Sequence, residues 1–191
     1  MRARMALAYA KINYQHREIL LKNKPQSMLN YSAKGTVPVL IEKATVIDES
    51  LDVMRWALSH NDMDNWLLKD KANRQDEMFE LIRICDEKFK QQLDRYKYSD
   101  RYPLTEIEYR DQSQWFLKLL NERLSHHQFL ISNQMCMADI AIFPFIRQYA
   151  YVNKKWFDNT SYTYLNKWLD YWLNSKLFLS IMQKHSLWED I

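Results

Sequence analysis

The sequence predicts two regions, an α/β region followed by an all-α region. Short helical and extended patterns alternate up to about residue 60. Beyond the polar stretch HNDMDN, apolar residues recur every three or four positions, as they do on one face of an amphipathic helix. We therefore expect one domain over residues 1–60 and an all-α domain over residues 71–191.

The elements of the first region follow from periodicity and from the residues that interrupt it. Runs rich in β-branched residues predict strands, whereas spacings of three and four predict helices. In chain order we expect a helix over about 2–11, an extended run over 14–21, a short helix after Pro25, strands over 37–42 and 45–47, and a helix over 50–58.

The second region contains helical patterns only. The clearest is an apolar stripe that begins at Met78 and ends at Tyr96. Another pattern is apolar on almost every face and predicts a buried helix over 138–152. Further helices are expected over about 115–124, 164–173 and 177–183.

Composition and charge narrow the class of protein. The formal net charge of the 191 residues is +3 and basic residues alternate with acidic ones, so we expect no nucleic-acid partner. The longest apolar stretch is interrupted by Asp139 and is shorter than the ~20 residues that cross a bilayer, so no membrane association is expected. Cys85 and Cys136 form neither a metal motif nor a disulfide framework, which favours the cytoplasm.

Gly35 is the only glycine of the chain, and it stands ahead of the sequence TVPVL. Glycine permits a turn, and Pro38 lacks an N–H group, which suits the start of a strand whose edge faces a ligand. A cis Val37–Pro38 bond would expose the backbone of Val37 to an extended peptide. The alternative is an ordinary trans proline at a strand edge.

Glu49 and Ser50 form a second candidate site. Ser50 stands at the start of a predicted helix, where a hydroxyl and free N–H groups suit a carboxylate, and Glu49 suits an ammonium group. Together they suit the zwitterionic head group of an α-amino acid. The alternative is that Ser50 only caps the helix and that Glu49 favours its dipole.

Four motifs, taken in order, resemble those of the cytosolic glutathione transferase family. They are KNKP at 22–25, GTVPVL at 35–40, DES at 48–50 and ADI at 138–140. The resemblance covers nearly the whole chain and is closest to the omega-like and bacterial branch that uses cysteine. It implies a thioredoxin-like N-terminal domain followed by a C-terminal helical bundle, glutathione as a substrate, an electrophilic or disulfide small molecule as the acceptor, and a homodimer.

The resemblance also implies roles for residues of the first region. Val37, ahead of a cis Pro38, would hydrogen-bond the cysteinyl backbone of glutathione. Glu49 and Ser50 would hold its γ-glutamyl head. Lys24 would reach its glycyl carboxylate, with a solvated surface lysine as the alternative.

In the second region the resemblance implies a structural role for one residue. Asp139 would cap the helix that contains it, its carboxylate reaching back to the start of that helix. Cys136 stands where the family usually has Ser or Thr, and a thiol is a weaker hydrogen-bonding partner.

The sequence differs from this branch at the N-terminal end. In the branch, a first β-strand and a Cys-Pro dipeptide precede the helix that we expect over 2–11, and neither is in the sequence. The cysteine would be the nucleophile, because a helix N-terminus lowers the pKa of a thiol. The thioredoxin-like domain is thus expected to be incomplete and no catalytic residue is assigned. The run over 14–21 must then expose unpaired backbone or find another partner.

Three hypotheses of function follow. The leading one is a glutathione transferase that catalyses thiol transfer or conjugation in its full-length form, and whether the chain as given is active stays open. The alternative is a non-catalytic, glutathione-transferase-like interaction module. A third, with Cys85 or Cys136 as the nucleophile, ranks lower because both lie in the helical domain. Tyr96, Tyr98 and Tyr102 belong to a candidate second-substrate site that helix packing explains equally well.

Overall fold

The structure, a computed structural model, describes residues 1–189 and divides into two compact units. The first unit contains Met1–Asp62 together with the segment that starts at Lys176, and the second unit is Met63–Ser175. A small sheet and short helices make up the first unit, whereas the second unit is helical. The predicted order of an α/β region and an all-α region is therefore confirmed.

A two-stranded antiparallel sheet lies among the helices of the first unit. Leu40 pairs with Ile47 at the open end of this hairpin, and Glu42 pairs with Thr45 beside the turn. The elements of the unit are α1 (Arg2–Tyr9), α2 (Gln26–Tyr31), β1 (Leu40–Glu42), β2 (Thr45–Ile47), α3 (Ser50–His60) and α10 (Lys176–Ile181).

The core of the first unit forms where α1 packs against α3 and α10. Ala6 and Ala57 are fully buried, and such small side chains allow two helices to approach closely. Met5 and Met54, also fully buried, are flexible enough to fill the remaining space. The hairpin is less well covered, since Ile41 and Val46 are both exposed.

The first strand is shorter than predicted. It begins at Leu40, so residues 37–39 lie outside the hairpin although the predicted strand started at 37. Pro38 has no N–H group to donate to a ladder, and β2 ends at Ile47, which leaves the preceding residues without a strand partner.

The predicted extended run over 14–21 forms no regular strand. Glu18 makes a single parallel bridge with Leu187, and the N–H group of Trp188 donates to the Glu18 carbonyl at 2.7 Å. The Arg17 guanidinium also lies over the Trp188 ring, 4.1 Å from its centroid. Of the two outcomes expected for this backbone, the second is observed at Glu18, to which the C-terminal segment supplies a partner.

The helices of the second unit follow the predicted stripes, with two additions. The stripe from Met78 to Tyr96 runs through two α-helices joined by a π-helical turn, and the short α8 was not predicted. The elements are α4 (Ala72–Ile84), the π-helical turn (Cys85–Phe89), α5 (Lys90–Lys97), a 3₁₀ turn (Ser99–Arg101), α6 (Glu106–His126), α7 (Met137–Val152), α8 (Lys154–Asp158) and α9 (Thr163–Leu173).

The central helix of the second unit, α7, is held at its start by Asp139. The carboxylate accepts hydrogen bonds from the Cys136 N–H at 2.9 Å, the Leu130 N–H at 3.1 Å and the Trp168 Nε1–H at 2.9 Å. Asp139 is fully buried, and burial raises the pKa of its carboxyl. The Asp139 side chain therefore connects the start of α7 to the preceding segment at Leu130 and to the helix that contains Trp168.

No helix within residues 1–189 combines the length and the apolar character needed to span a membrane.

Candidate functional site

The backbone before β1 is open to a ligand. The Val37–Pro38 peptide bond is cis, and Val37 is 50% exposed. Within the described part of the chain, Val37 makes no hydrogen bond, because β1 begins three positions later. Its N–H and C=O groups are therefore available to an extended peptide, which can add to a sheet edge through main-chain hydrogen bonds.

Gly35 shapes the turn that leads to this edge. Its φ of +59° lies in the left-handed region, which strains any residue with a side chain. A Cβ atom there would lie 3.4 Å from Leu29 Cδ2 and 3.5 Å from Lys24 Nζ. Both distances are ordinary van der Waals contacts, so the backbone conformation, and not a lack of space, favours glycine at this position.

The N-terminus of α3 is the second part of the site. Glu49 is the N-cap residue and Ser50 is the first helical residue, yet no side chain caps this end of the helix. The Ser50 hydroxyl makes no hydrogen bond to any described residue, and the first N–H groups of a helix have no partner within it. Free donors at a helix N-terminus attract a carboxylate. The alternative in which Ser50 only caps α3 has no support in this geometry.

A lysine that the sequence interpretation missed lies at the same place. Lys34 Nζ is 2.9 Å from Asp48 Oδ1 and 2.8 Å from Glu49 Oε1. The Ser32 hydroxyl, which belongs to a buried residue, donates to Asp48 Oδ2 at 2.7 Å. The hairpin brings these groups together, because its register places the chain before β1 beside the chain after β2.

These contacts shift two titrating groups in opposite directions. Hydrogen bonds from Ser32 and then Lys34 hold the pKa of the Asp48 carboxyl below its usual range. Hydrogen bonds to Glu49 and then Asp48 raise the pKa of the Lys34 ammonium above its usual range. Both shifts favour the charged forms of Asp48 and Lys34.

Lys24 lies beside the Gly35 turn. Its side chain is exposed and makes no ion pair with any acidic group among residues 1–189. Its Nζ atom faces Gly35, as the distances above show. A cation beside an open strand edge suits a terminal carboxylate of a bound peptide.

The three tyrosines predicted for a second substrate occupy different environments in the second unit. Tyr96 is buried, and its ring centroid lies 4.7 Å from that of Tyr149. Tyr98 is half-buried beneath the Arg101 guanidinium, and Tyr102 is exposed. Tyr98 and Tyr102 are therefore accessible to solvent, whereas Tyr96 is not.

The two cysteines are also in the second unit, where both are fully buried. Burial, reinforced by the negative charge of Asp139, raises the pKa of the Cys136 thiol well above its usual range. Because the thiolate is the reactive form of cysteine, this environment opposes a role for Cys136 as a nucleophile.

Comparison with known protein families supports this interpretation of the first unit. Residues 1–60 match the family model described as the glutathione S-transferase N-terminal domain. Among curated proteins, none matches the chain in sequence.

Solved structures share the fold over almost the full length. A glutathione S-transferase from Rhodospirillum rubrum superposes with a TM-score of 0.78 at 19% identity, over 97% of this chain and 87% of that chain. Glutathione transferase Omega 3C from Trametes versicolor gives 0.77 at 17% identity, over 97% and 85%. A glutathione S-transferase-I bound with lactoylglutathione gives 0.77 at 15% identity, over 94% and 91%.

The architecture is therefore that of the glutathione transferases. Residues 1–60 form a thioredoxin-like glutathione S-transferase N-terminal domain with a small two-stranded sheet, and a helical C-terminal domain follows.

Proposed function

We propose that this protein is a glutathione transferase-like protein that binds glutathione in its first unit. The observation that carries the proposal is the uncapped N-terminus of α3, where Ser50 offers a free hydroxyl beside the Glu49 carboxylate. A bare helix N-terminus next to an acidic side chain suits a zwitterionic head group better than a simple anion. Glutathione carries such a group at its γ-glutamyl end.

Each predicted residue takes one part of the tripeptide. Ser50 and the N–H groups of α3 hold the α-carboxylate of the γ-glutamyl head, and Glu49 holds its ammonium group. The backbone of Val37, ahead of Pro38, pairs with the cysteinyl main chain. Lys24 faces the glycyl carboxylate. The site thus contacts all three residues of glutathione.

The reaction that we propose is glutathione-dependent thiol transfer or conjugation. Thiol transfer requires a thiolate that attacks a disulfide and releases the other sulfur as a thiol. In the branch that the sequence resembles, that thiolate belongs to a Cys-Pro dipeptide at the start of the first helix, where a helix N-terminus lowers its pKa. The buried environments of Cys85 and Cys136 suit neither of them to this role.

We propose a disulfide or electrophilic small molecule as the acceptor. Tyr98 and Tyr102 remain candidates for contact with a disulfide or electrophilic acceptor, whereas Tyr96 is buried. We also propose a homodimer, which rests on the resemblance alone, and a cytoplasmic location, which the pattern of the two cysteines favours. An interaction module that binds without transfer is the competing function, and it differs by lacking turnover with every acceptor.

Calorimetric titration of paired serine variants tests the proposed binding site. Ser50→Ala removes the free hydroxyl at the start of α3 and is expected to weaken glutathione binding about tenfold. Ser59→Ala, near the other end of the same helix, removes a hydroxyl that donates to the Trp56 carbonyl and is expected to leave the affinity unchanged. Equal affinities for both variants would show that glutathione does not use the N-terminus of α3.

A further inference from the structure

Lys34 is a basic residue of the candidate site to which the resemblance assigns no role. Its ammonium group bridges Asp48 at 2.9 Å and Glu49 at 2.8 Å. Both contacts join residues that flank the hairpin, so they are not helix-surface pairs between near neighbours. Glu49 is the same carboxylate that the proposed function assigns to the ammonium group of the ligand, so a bound ligand must change this arrangement.

The Lys34–Glu49 pair is easily opened. The side chains of Lys34 and Glu49 are 51% and 61% exposed, and solvent-exposed ion pairs contribute little to stability. A ligand ammonium group can therefore take the place of the lysine on Glu49 at small cost.

Asp48 keeps Lys34 at the site when that exchange occurs. The buried Ser32 hydroxyl holds one oxygen of Asp48, and the other oxygen binds Lys34 Nζ. The lysine can thus release Glu49 and retain Asp48. The N–H donor of Lys34 that Glu49 releases then lies beside the place where the ligand ammonium group binds.

In an α-amino acid the ammonium and carboxylate groups are separated by one carbon atom. A ligand whose ammonium group contacts Glu49 consequently brings its α-carboxylate close to Lys34. The two ion pairs then stand side by side with opposite polarity, which is the favourable arrangement for four charges.

We propose that Lys34 is a specificity-determining residue that recognises the α-carboxylate of the γ-glutamyl head. The site would then select ligands that carry both a free α-ammonium and a free α-carboxylate group. This inference rests on the proposed function and deepens it, because it names the chemical feature by which glutathione is recognised.

A calorimetric comparison of two ligands tests the inference. The ligands are glutathione and 4-aminobutyryl-cysteinyl-glycine, which lacks only the α-carboxylate. The wild-type chain is expected to prefer glutathione by about tenfold or more, as a charge-assisted hydrogen bond requires. Lys34→Met is expected to weaken glutathione binding by a similar factor and to remove most of the preference, while Lys34→Arg retains it.

The matched control is Lys22→Met, which removes the same charge from an exposed residue of the first unit. It is expected to change both affinities by less than about twofold, since exposed charges are screened by salt. If Lys34→Met binds glutathione as tightly as the wild type, or more tightly, Lys34 only competes for Glu49 and the inference fails while the proposed function stands. A wild-type chain that binds no glutathione overturns both.

Discussion

The Nε1–H group of Trp168 donates a hydrogen bond of 2.9 Å to Oδ1 of Asp139, which joins α9 to the start of α7. The same carboxylate also binds the backbone N–H groups of Leu130 and Cys136. This buried acceptor therefore satisfies three donors that belong to buried residues. The stability of the second unit is expected to depend on it.

Asp139→Ala is expected to lower the free energy of unfolding by about 3 kcal/mol, because it leaves three buried donors without an acceptor. Asp139→Asn retains one acceptor oxygen and is expected to lose less. Urea denaturation followed by tryptophan fluorescence measures both changes. Asp94→Ala, on the exposed face of α5, is the control and is expected to change stability by less than about 0.5 kcal/mol. A loss no larger than that of the control would contradict the structural role of Asp139.

Two buried tyrosines that touch each other are expected to respond differently to removal of the hydroxyl. The Tyr149 hydroxyl donates to the Arg110 carbonyl at 3.0 Å and accepts from Ser113 Oγ at 3.1 Å. The Tyr96 hydroxyl is buried without a hydrogen-bond partner among the described residues. Tyr149→Phe is expected to lower the free energy of unfolding by about 1–2 kcal/mol, whereas Tyr96→Phe leaves it unchanged or raises it. Equal losses in urea denaturation would refute this difference.

Alkaline pH is expected to weaken the second unit through Tyr96. Burial raises the pKa of Tyr96 from 10.0 to about 12. A raised pKa means that the folded state favours the neutral phenol, so this contribution is complete below pH 10 and is lost as the pH rises toward 12. Free energies of unfolding measured across that range are expected to fall, and to fall less steeply in Tyr96→Phe. Identical pH profiles for the two chains would count against a raised pKa.

Lys24 is expected to recognise the glycyl end of glutathione. Lys24→Met should weaken glutathione binding by about fivefold to tenfold and should leave the binding of γ-glutamylcysteine, which lacks the glycyl carboxylate, nearly unchanged. Calorimetry with both ligands measures the difference, and Lys22→Met serves as the control for the lost charge. If both ligands lose affinity equally, Lys24 acts through long-range electrostatic attraction and does not contact the glycyl carboxylate.

Thiol transfer is expected to be negligible for the 191-residue chain, because no described cysteine lies in the first unit. Adding a β-strand that ends in Cys-Pro ahead of Met1 is expected to introduce turnover, because the presence of a catalytic group can change rates by up to ~10⁶. The assay follows reduction of a small disulfide by glutathione. Replacing the added Cys by Ser is the control. Full turnover by the 191-residue chain would contradict this prediction and would indicate that Cys85, Cys136 or a hydroxyl group is the nucleophile.

The sequence was sufficient to predict features whose causes are local. The fold order followed from periodicity, because a helix and a strand impose different spacings on apolar residues. The turn at Gly35 and the start of α3 at Ser50 were also predicted from neighbouring residues. The short α8 was missed because five residues carry too little periodicity to be recognised.

Contacts between residues that are far apart in the chain could not be predicted from the sequence. Lys34 contacts Glu49 only because the hairpin returns the chain to the same place, and nothing near Lys34 in the sequence marks it as part of a site. Glu18 pairs with Leu187, which is separated from it by most of the chain. Local patterns indicate that a segment needs a partner, but they do not identify the partner.

The central claim is that glutathione binds where the chain passes from Val37 to the start of α3. The most direct test is a titration of the isotope-labelled 191-residue chain with glutathione, followed through the chemical shifts of its backbone amides. The account predicts that the largest saturable changes occur at Val37, Glu49 and Ser50, with little change in α6 and α7. The absence of saturable changes, or changes confined to the second unit, would contradict it.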